Sequence, residues 1–265
     1  AVAAPNVFNR ETIEAVFLAA KELRSPMILD VGAVHGIYEC AHIARFYEKK
    51  YPEVPIALNL DHGGPYEDII KAIHAGFSSV MIDRSSCPYN QNKEEVKEIV
   101  KIAHAVGISV EAELGHVGQG FEYEKTRNSG LTRPEEAIDY VKETGVDCLA
   151  VAVGTSHGVY KGTPYLDFDL LKTLANEVSI PLVLHGGSGT GDENLTKAVR
   201  YGIQKINLNT DLNKAGQSAL KEALNTLEKS EGKKLNLQQT IAFGIEGWKE
   251  ELVHYMKLFG SAGRW

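Results

Sequence analysis

The chain is poor in cysteine, tryptophan and methionine, and it contains no long apolar stretch. Its three cysteines, Cys40, Cys87 and Cys148, lie far apart without C-x-x-C spacing. That excludes a disulfide framework and a thiolate zinc site, and it suits a reducing cytoplasm. Apolar runs stop well short of the roughly 18 residues that a spanning helix needs. Ala1–Asn9 has no charged segment leading into an apolar one, so neither a membrane anchor nor a secretion signal is expected. The chain opens without an initiator methionine, as a processed start or a longer parent chain would. Basic residues are in the minority: 28 Lys and Arg against 35 Asp and Glu leave a net charge of −7. Nucleic acid and anionic lipid are poor partners for such a surface, so any anionic ligand must be held locally.

What is present is a rhythm. With 265 residues, 43% of them hydrophobic, the chain can bury a sizeable core, and an α/β barrel uses about 250 residues as one domain. Eight short, β-branched apolar runs stand out: Val2–Asn6, Met27–Gly32, Ile56–Asp61, Ser79–Asp83, Ser109–Leu114, Cys148–Gly154, Leu182–His185 and Lys205–Asn209. They read as parallel strands buried on both faces. Helical periodicity fills the gaps at Arg10–Leu23, His35–Lys50, Tyr66–Ala75, Lys93–Val106, Pro134–Thr144, Asp169–Glu177, Asp192–Tyr201, Leu212–Lys229 and Leu237–Phe259. Thr132 before Pro134-Glu135, and Asp192 before Glu193, supply capping chemistry. Ser230–Lys234 reads as a polar turn between the last two helices. An open doubly wound sheet is the alternative, but eight βα units and two final helices predict an α/β fold of one domain, residues 1–265: a (β/α)8 TIM barrel with extra C-terminal helices.

In such a barrel the chemistry sits at the carboxyl ends of the strands. Strand 3 ends in Asp61-His62-Gly63-Gly64, strand 5 carries Glu111 and Glu113, and strand 6 leads to His157. Strand 7 ends in His185-Gly186-Gly187-Ser188-Gly189 and strand 8 in Asn207-Leu208-Asn209-Thr210. Any one of these histidines alone would read as a hydrogen-bond partner of a loop carbonyl. Three of them beyond three separate strands, with Glu113 nearby, instead predict a site for a borderline-soft cation such as zinc. His35, His42, His74, His104 and His254 fall in helical patterns and read as surface or packing residues; His116 stays undecided. Glycines at Gly186, Gly187 and Gly189 let backbone amides approach an oxyanion, and the loops after strands 7 and 8 are the usual phosphate cradle of this barrel. Lys161 reads equally as an added charge there or as a solvated loop residue.

Taken in order, the strings L-D-H-G-G (Leu60–Gly64), G-F-S-S-V-M-I-D (Gly76–Asp83), V-E-A-E-L-G (Val110–Gly115), the run Thr144–Gly158 ending T-S-H-G, P-L-V-L-H-G-G-S-G (Pro181–Gly189), K-I-N-L-N-T (Lys205–Thr210) and F-G-S-A-G (Phe259–Gly263) closely resemble the class II, metal-dependent ketose-bisphosphate aldolases, over nearly the whole chain. The resemblance implies zinc or another divalent metal on His62, His157 and His185, with Glu113 as an alternative or second-site ligand. It implies Asp61 as the proton-transfer residue; the alternative for Asp61 is orienting His62. It places dihydroxyacetone phosphate on Gly158, Gly186, Ser188, Asn207, Asn209 and Thr210, with a monovalent cation supporting the phosphate. It also implies a homodimer or homotetramer and a sugar-phosphate substrate, by default fructose 1,6-bisphosphate.

Several departures bear on the substrate. Gly32 stands where many family members carry serine, Arg84 where they carry a small residue, and Pro5 where they carry phenylalanine. Arg84 is therefore a candidate for added charge recognition. The loop Gly118–Glu124 lacks the familiar G-G-x-E-D string, which leaves Glu122 or Glu124 as the acidic substitute. A tagatose or deoxy-sugar phosphate is thus the nearest rival substrate, and a metal-dependent hydrolase or a non-catalytic sugar-phosphate binder are rival functions. A Schiff-base aldolase is disfavoured because Cys148–Gly154 contains no lysine.

Overall fold

The structure, a computed structural model, describes residues 1–126, 128–230 and 234–265. Eight parallel strands form the barrel wall: β1 (Val2–Pro5), β2 (Met27–Gly32), β3 (Ile56–Gly63), β4 (Ser79–Ile82), β5 (Ser109–Leu114), β6 (Cys148–Val151), β7 (Leu182–Leu184) and β8 (Ile203–Leu208). They run in the order β1-β8-β7-β6-β5-β4-β3-β2. β1 and β2 close the circle through a bridge between Asn6 and Asp30 and the Val7 N–H on the Asp30 carbonyl at 2.9 Å, so the barrel is nearly closed.

Around the wall lie α1 (Arg10–Leu23), α2 (Ile37–Lys50), α3 (Tyr66–Ala75), α4 (Tyr89–His104), α5 (Pro134–Thr144), α6 (Phe168–Glu177), α7 (Asp192–Arg200) and α8 (Thr210–Ser230), with α9 (Leu237–Leu258) folding back along α8 and against α1. Each presents an apolar stripe to the strands, as its 3.6-residue pattern demands. α1 starts at a capping box in which Asn9 and Thr12 satisfy each other's backbone amides, and Asn236 with Gln239 does the same for α9. Among the described residues no helix is long and apolar enough to cross a membrane.

Several boundaries differ from expectation. α4 begins four residues early, at Tyr89, because Pro88 directs a polar first turn that carries no apolar period. His35 belongs to a 3-10 turn, Ala33–His35, rather than to α2. Thr132 does not cap α5; its hydroxyl donates to the Leu114 carbonyl at 2.5 Å and accepts from Ala152 N–H at 2.8 Å, stapling the ends of β5 and β6. β6 stops at Val151, and a separate two-residue ladder joins Gly118–Gln119 to Ser156–His157 above the barrel. The expected turn Ser230–Lys234 lies mostly outside the described residues.

Candidate active site

The site is built around an irregularity in β3. Leu60 pairs with Val80 and Gly63 with Ile82, so β3 carries one extra residue at Asp61-His62. Adjacent residues of a regular strand point to opposite faces, but here Asp61 and His62 both line the same cavity. His62 adopts a left-handed φ of 49°, an uncommon conformation for a side-chain-bearing residue and typical of functional sites. Gly63 makes this possible, since a Cβ there would fall 2.2 Å from the Met81 carbonyl oxygen.

Asp61 is 8% exposed and accepts from two amides, Asn6 Nδ2 at 2.7 Å and Asn207 Nδ2 at 3.0 Å. Burial works against its ionisation, but His62, His185 and Lys205 hold it below the usual carboxylate range. It is therefore held as a carboxylate with its lone pairs organised in advance.

Each outward ring nitrogen of two histidines is committed to a carboxylate. His62 Nδ1 meets Asp83 Oδ2 at 2.7 Å, and His185 Nε2 meets Glu111 Oε1 at 2.9 Å. The remaining nitrogens, His62 Nε2 and His185 Nδ1, therefore face each other at 3.0 Å, with one proton or one cation to share. Burial pulls the His62 imidazole down, yet the Asp83 hydrogen bond and the charges of Asp61 and Glu113 lift it to about 10. His157 completes the cluster with its ring centroid 4.9 Å from that of His62. Burial, then His185 and His62, push it down to about 3, so it is neutral, and its buried Nε2 has no partner. One nitrogen from each of the three rings lies within 4.8 Å of the others, and a second group joins His62, Asp83 and Glu113 at the same spacing. Glu113 Oε2 is likewise buried without a hydrogen-bond partner, 3.9 Å from His185 Nδ1, and burial raises the Glu113 carboxyl above its ordinary value. Unpartnered donors of this kind fit a divalent cation better than they fit a purely structural hydrogen-bond network.

A second feature sits beside it. Gly186 (φ 68°) packs so tightly under Ser156 that a Cβ would lie 2.4 Å from the Ser156 carbonyl oxygen. Ser188 Oγ accepts from the amides of Asn209 at 3.3 Å and Asp211 at 3.2 Å, tying the β7 loop to the start of α8. Backbone amides and a helix N-terminus converge there, a geometry suited to a phosphate.

Both features open into one cavity of about 490 Å³. It brings together the expected Asp61, His62, His157, His185, Gly158, Gly186, Gly187, Ser188, Asn207, Asn209 and Thr210. Glu113 lies just beneath, buried at the end of β5. Arg84 and Lys161 are not among the lining residues. Arg84 is drawn into α4, where it pairs with Glu95 and lies over the Tyr66 ring, so it adds no recognition charge to the cavity. Lys161 is exposed, its backbone amide bonded to the Gly120 carbonyl. Glu122 and Glu124 are exposed on the neighbouring loop, outside the lining. His116 meets Ser85 Oγ at 3.0 Å, also outside the lining.

Several residues around the site carried no expected role in it. Asn6 holds Asp61, and Asp83 holds His62. Glu111 holds His185 and is itself gripped by Lys205 Nζ at 2.6 Å, which also lies 3.4 Å from Asp30. His35, read as a surface or packing residue, lines the cavity with its ring against Phe8. The usable signal was an i, i+2 pair of polar residues in a buried strand: Glu111 with Glu113, and Lys205 with Asn207.

Residues 1–264 match the family described as "Fructose-bisphosphate aldolase class-II". The chain is 38% identical to the fructose-bisphosphate aldolase of Thermus caldophilus, covering 99% of this chain and 94% of that protein. It is 38% identical to that of Geobacillus stearothermophilus, covering 98% and 91%. Among solved structures it resembles the YdjI aldolase of Escherichia coli K12 with a TM-score of 0.86 at 35% identity, covering 100% of this chain and 93% of that one. A putative fructose-1,6-bisphosphate aldolase of Coccidioides immitis gives a TM-score of 0.83 at 28% identity, covering 100% and 92%.

Proposed function

Because the chain belongs to the class II fructose-bisphosphate aldolase family and is a lyase, we propose that it reversibly splits a ketose phosphate between C3 and C4 into dihydroxyacetone phosphate and an aldehyde. The observation that carries this reading is Asp61: an ionised carboxylate held by two asparagine amides, beside converging imidazoles and within the same cavity as a phosphate cradle.

His62, His157 and His185, with Glu113 as a further donor, would hold a divalent cation, zinc in our reading, and that cation would supply Lewis acidity for the charge that develops on the ketose. Asp61 accepts the proton of the C4 hydroxyl, the C3–C4 bond breaks, and its electron pair withdraws toward C3 and the carbonyl. The aldehyde leaves, C3 takes up a proton from water to complete dihydroxyacetone phosphate, and Asp61 gives its own proton back to water. Asn6 and Asn207 keep Asp61 in place through both directions. Asp83 and Glu111 fix the rings of His62 and His185 so that their inward nitrogens face the place a cation would take. Gly158, Gly186, Gly187, Ser188, Asn207, Asn209 and Thr210 grip the C1 phosphate, assisted by a monovalent cation, with Lys161 as an outlying charge.

The exposed Leu237 and Ile241 of α9 beside Leu18 form the face on which we place a homodimer or homotetramer contact. The free cysteines suit the reducing cytoplasm, where we place the enzyme. The test is release of dihydroxyacetone phosphate from a panel of phosphorylated ketoses in the presence of zinc, cobalt or manganese. Release that is abolished by chelator and survives borohydride supports the reading. Ligand binding without product would instead indicate a sugar-phosphate-binding protein, and phosphate release would indicate a hydrolase.

A further inference from the structure

The cavity has two unlike ends. Because β8, β1, β2 and β3 are neighbours in the wall, the lining runs from the β7 and β8 loops, past Asp61 and His62, to the loops after β2 and β3. The first end is the phosphate cradle. The second is walled by Gly32, Val34, His35, Pro65 and Asp68. Among the described residues lining this cavity there is no lysine or arginine. Among the described residues, Arg84 is paired with Glu95, and Lys71 with Glu67 at 2.8 Å and Asp68 at 3.7 Å. One lysine is thus shared between two carboxylates, so the group stays net negative, and Asp68, whose side chain is 25% exposed, is its member that lines the cavity.

A sugar bisphosphate seated with its C1 phosphate in the cradle and C2 to C4 beside Asp61 carries its second phosphate to this far end. There it meets a carboxylate, an apolar rim and one imidazole. A phosphate dianion beside a carboxylate is repelled, and the exposed Val34 and Pro65 side chains offer it neither a charge nor a hydrogen-bond donor in return. Hydroxyl groups meet complementary partners instead, since Asp68 accepts and His35 can donate or accept according to tautomer. On these grounds we infer that the enzyme takes ketose 1-phosphates whose distal carbons are uncharged, hydroxylated or deoxygenated, and discriminates against a second phosphate. The inference rests on the aldolase reading and narrows its substrate class.

The test compares a ketohexose 1-phosphate with its own 1,6-bisphosphate on the zinc-loaded protein, following dihydroxyacetone phosphate release. The expected kcat/KM is at least tenfold higher for the 1-phosphate. Asp68→Asn narrows that ratio severalfold by removing the repulsion. Val34→Lys, at a position 90% exposed and so tolerant of a long side chain, narrows it at least fivefold by supplying the missing cation, chiefly through a lower KM for the bisphosphate. A wild-type preference for the bisphosphate, or a ratio unmoved by both variants, overturns the inference and leaves the aldolase reading standing. If neither sugar releases triose phosphate, the aldolase reading itself fails and this inference falls with it.

Discussion

Lys205→Met removes the cation that the barrel interior is built around. The Lys205 ammonium is 6% exposed, 2.6 Å from Glu111 Oε2 and 3.4 Å from Asp30 Oδ1. Methionine fills most of the same volume, so the loss is electrostatic: Glu111 loses the cation that keeps it ionised, and Asp30, which burial already lifts to about 7, loses the charge that opposes that rise. Breaking a buried pair in this way costs about 3–5 kcal/mol. At roughly 2–4 °C per kcal/mol for a protein approaching this size, the melting temperature should fall by about 6–20 °C. The sign of the pH dependence follows from the shifts. In the parent chain burial opposes Glu111 ionisation, but Lys205 and His185 hold its pKa below the usual range. Its stabilising contribution is therefore present above the unfolded carboxylate pKa and is lost only as pH falls through the depressed value. Without Lys205 that depression disappears, Glu111 and Asp30 become easier to protonate, and the variant's deficit should be larger at pH 8 than at pH 5. Urea unfolding of parent and variant at both pH values measures it. The double change Lys205→Met with Glu111→Gln should recover part of the loss, because the two side chains act as one unit. A melting shift under 3 °C, or a deficit of equal size at both pH values, would refute the account of Lys205 as the counter-ion of this layer.

Four further outcomes are expected. Asp61→Ala should lower kcat by about 10²–10⁴ while the purified protein keeps its metal content; metal lost together with activity would favour the orienting role instead. Chelation should lower the melting temperature, and zinc at a hundredfold excess over its Kd should restore about 2.7 kcal/mol. Because His62 without the cation is held protonated up to about 10, zinc uptake should release a proton and weaken as pH falls, which calorimetry in buffers of different ionisation heat will show. Gly63→Ala drives a methyl into the Met81 carbonyl and should cost about 1–3 kcal/mol and most of the activity; an unchanged unfolding midpoint would contradict the packing described.

The barrel was legible because its strands are short, continuous apolar runs, and β2 and β5 were delimited to the residue. The ends of the others were not. The apolar residues 152–154 continue β6 in composition, but the chain bends there to form the ladder carrying His157. His62, His157, His185 and the β7–β8 cradle could be seen because glycine and histidine at strand ends are conspicuous. The residues that hold them were not, for a physical reason. Glu111 was placed on strand 5 but given no partner, and Lys205 no role, because their pairing appears only when the barrel closes and turns alternate positions inward. Asp83 gains its role only because the displaced backbone of β3 brings His62 beside it. Arg84 misled for the complementary reason: its place after β4 suggested the rim, and only the position of Glu95 on α4 explains why it turns away.

The extra residue between Leu60 and Gly63 also limits how this protein can change over evolutionary time. A strand in an even ladder can slide by two and present the same faces again, but β3 has no such freedom, since its reading frame is pinned at both ends. Dropping one residue upstream would place the imidazole where the carboxylate belongs and a glycine where the imidazole belongs, disarming both at once. New specificities are therefore open to this lineage through its surrounding loops, while the strand at their centre tolerates almost no editing of its length.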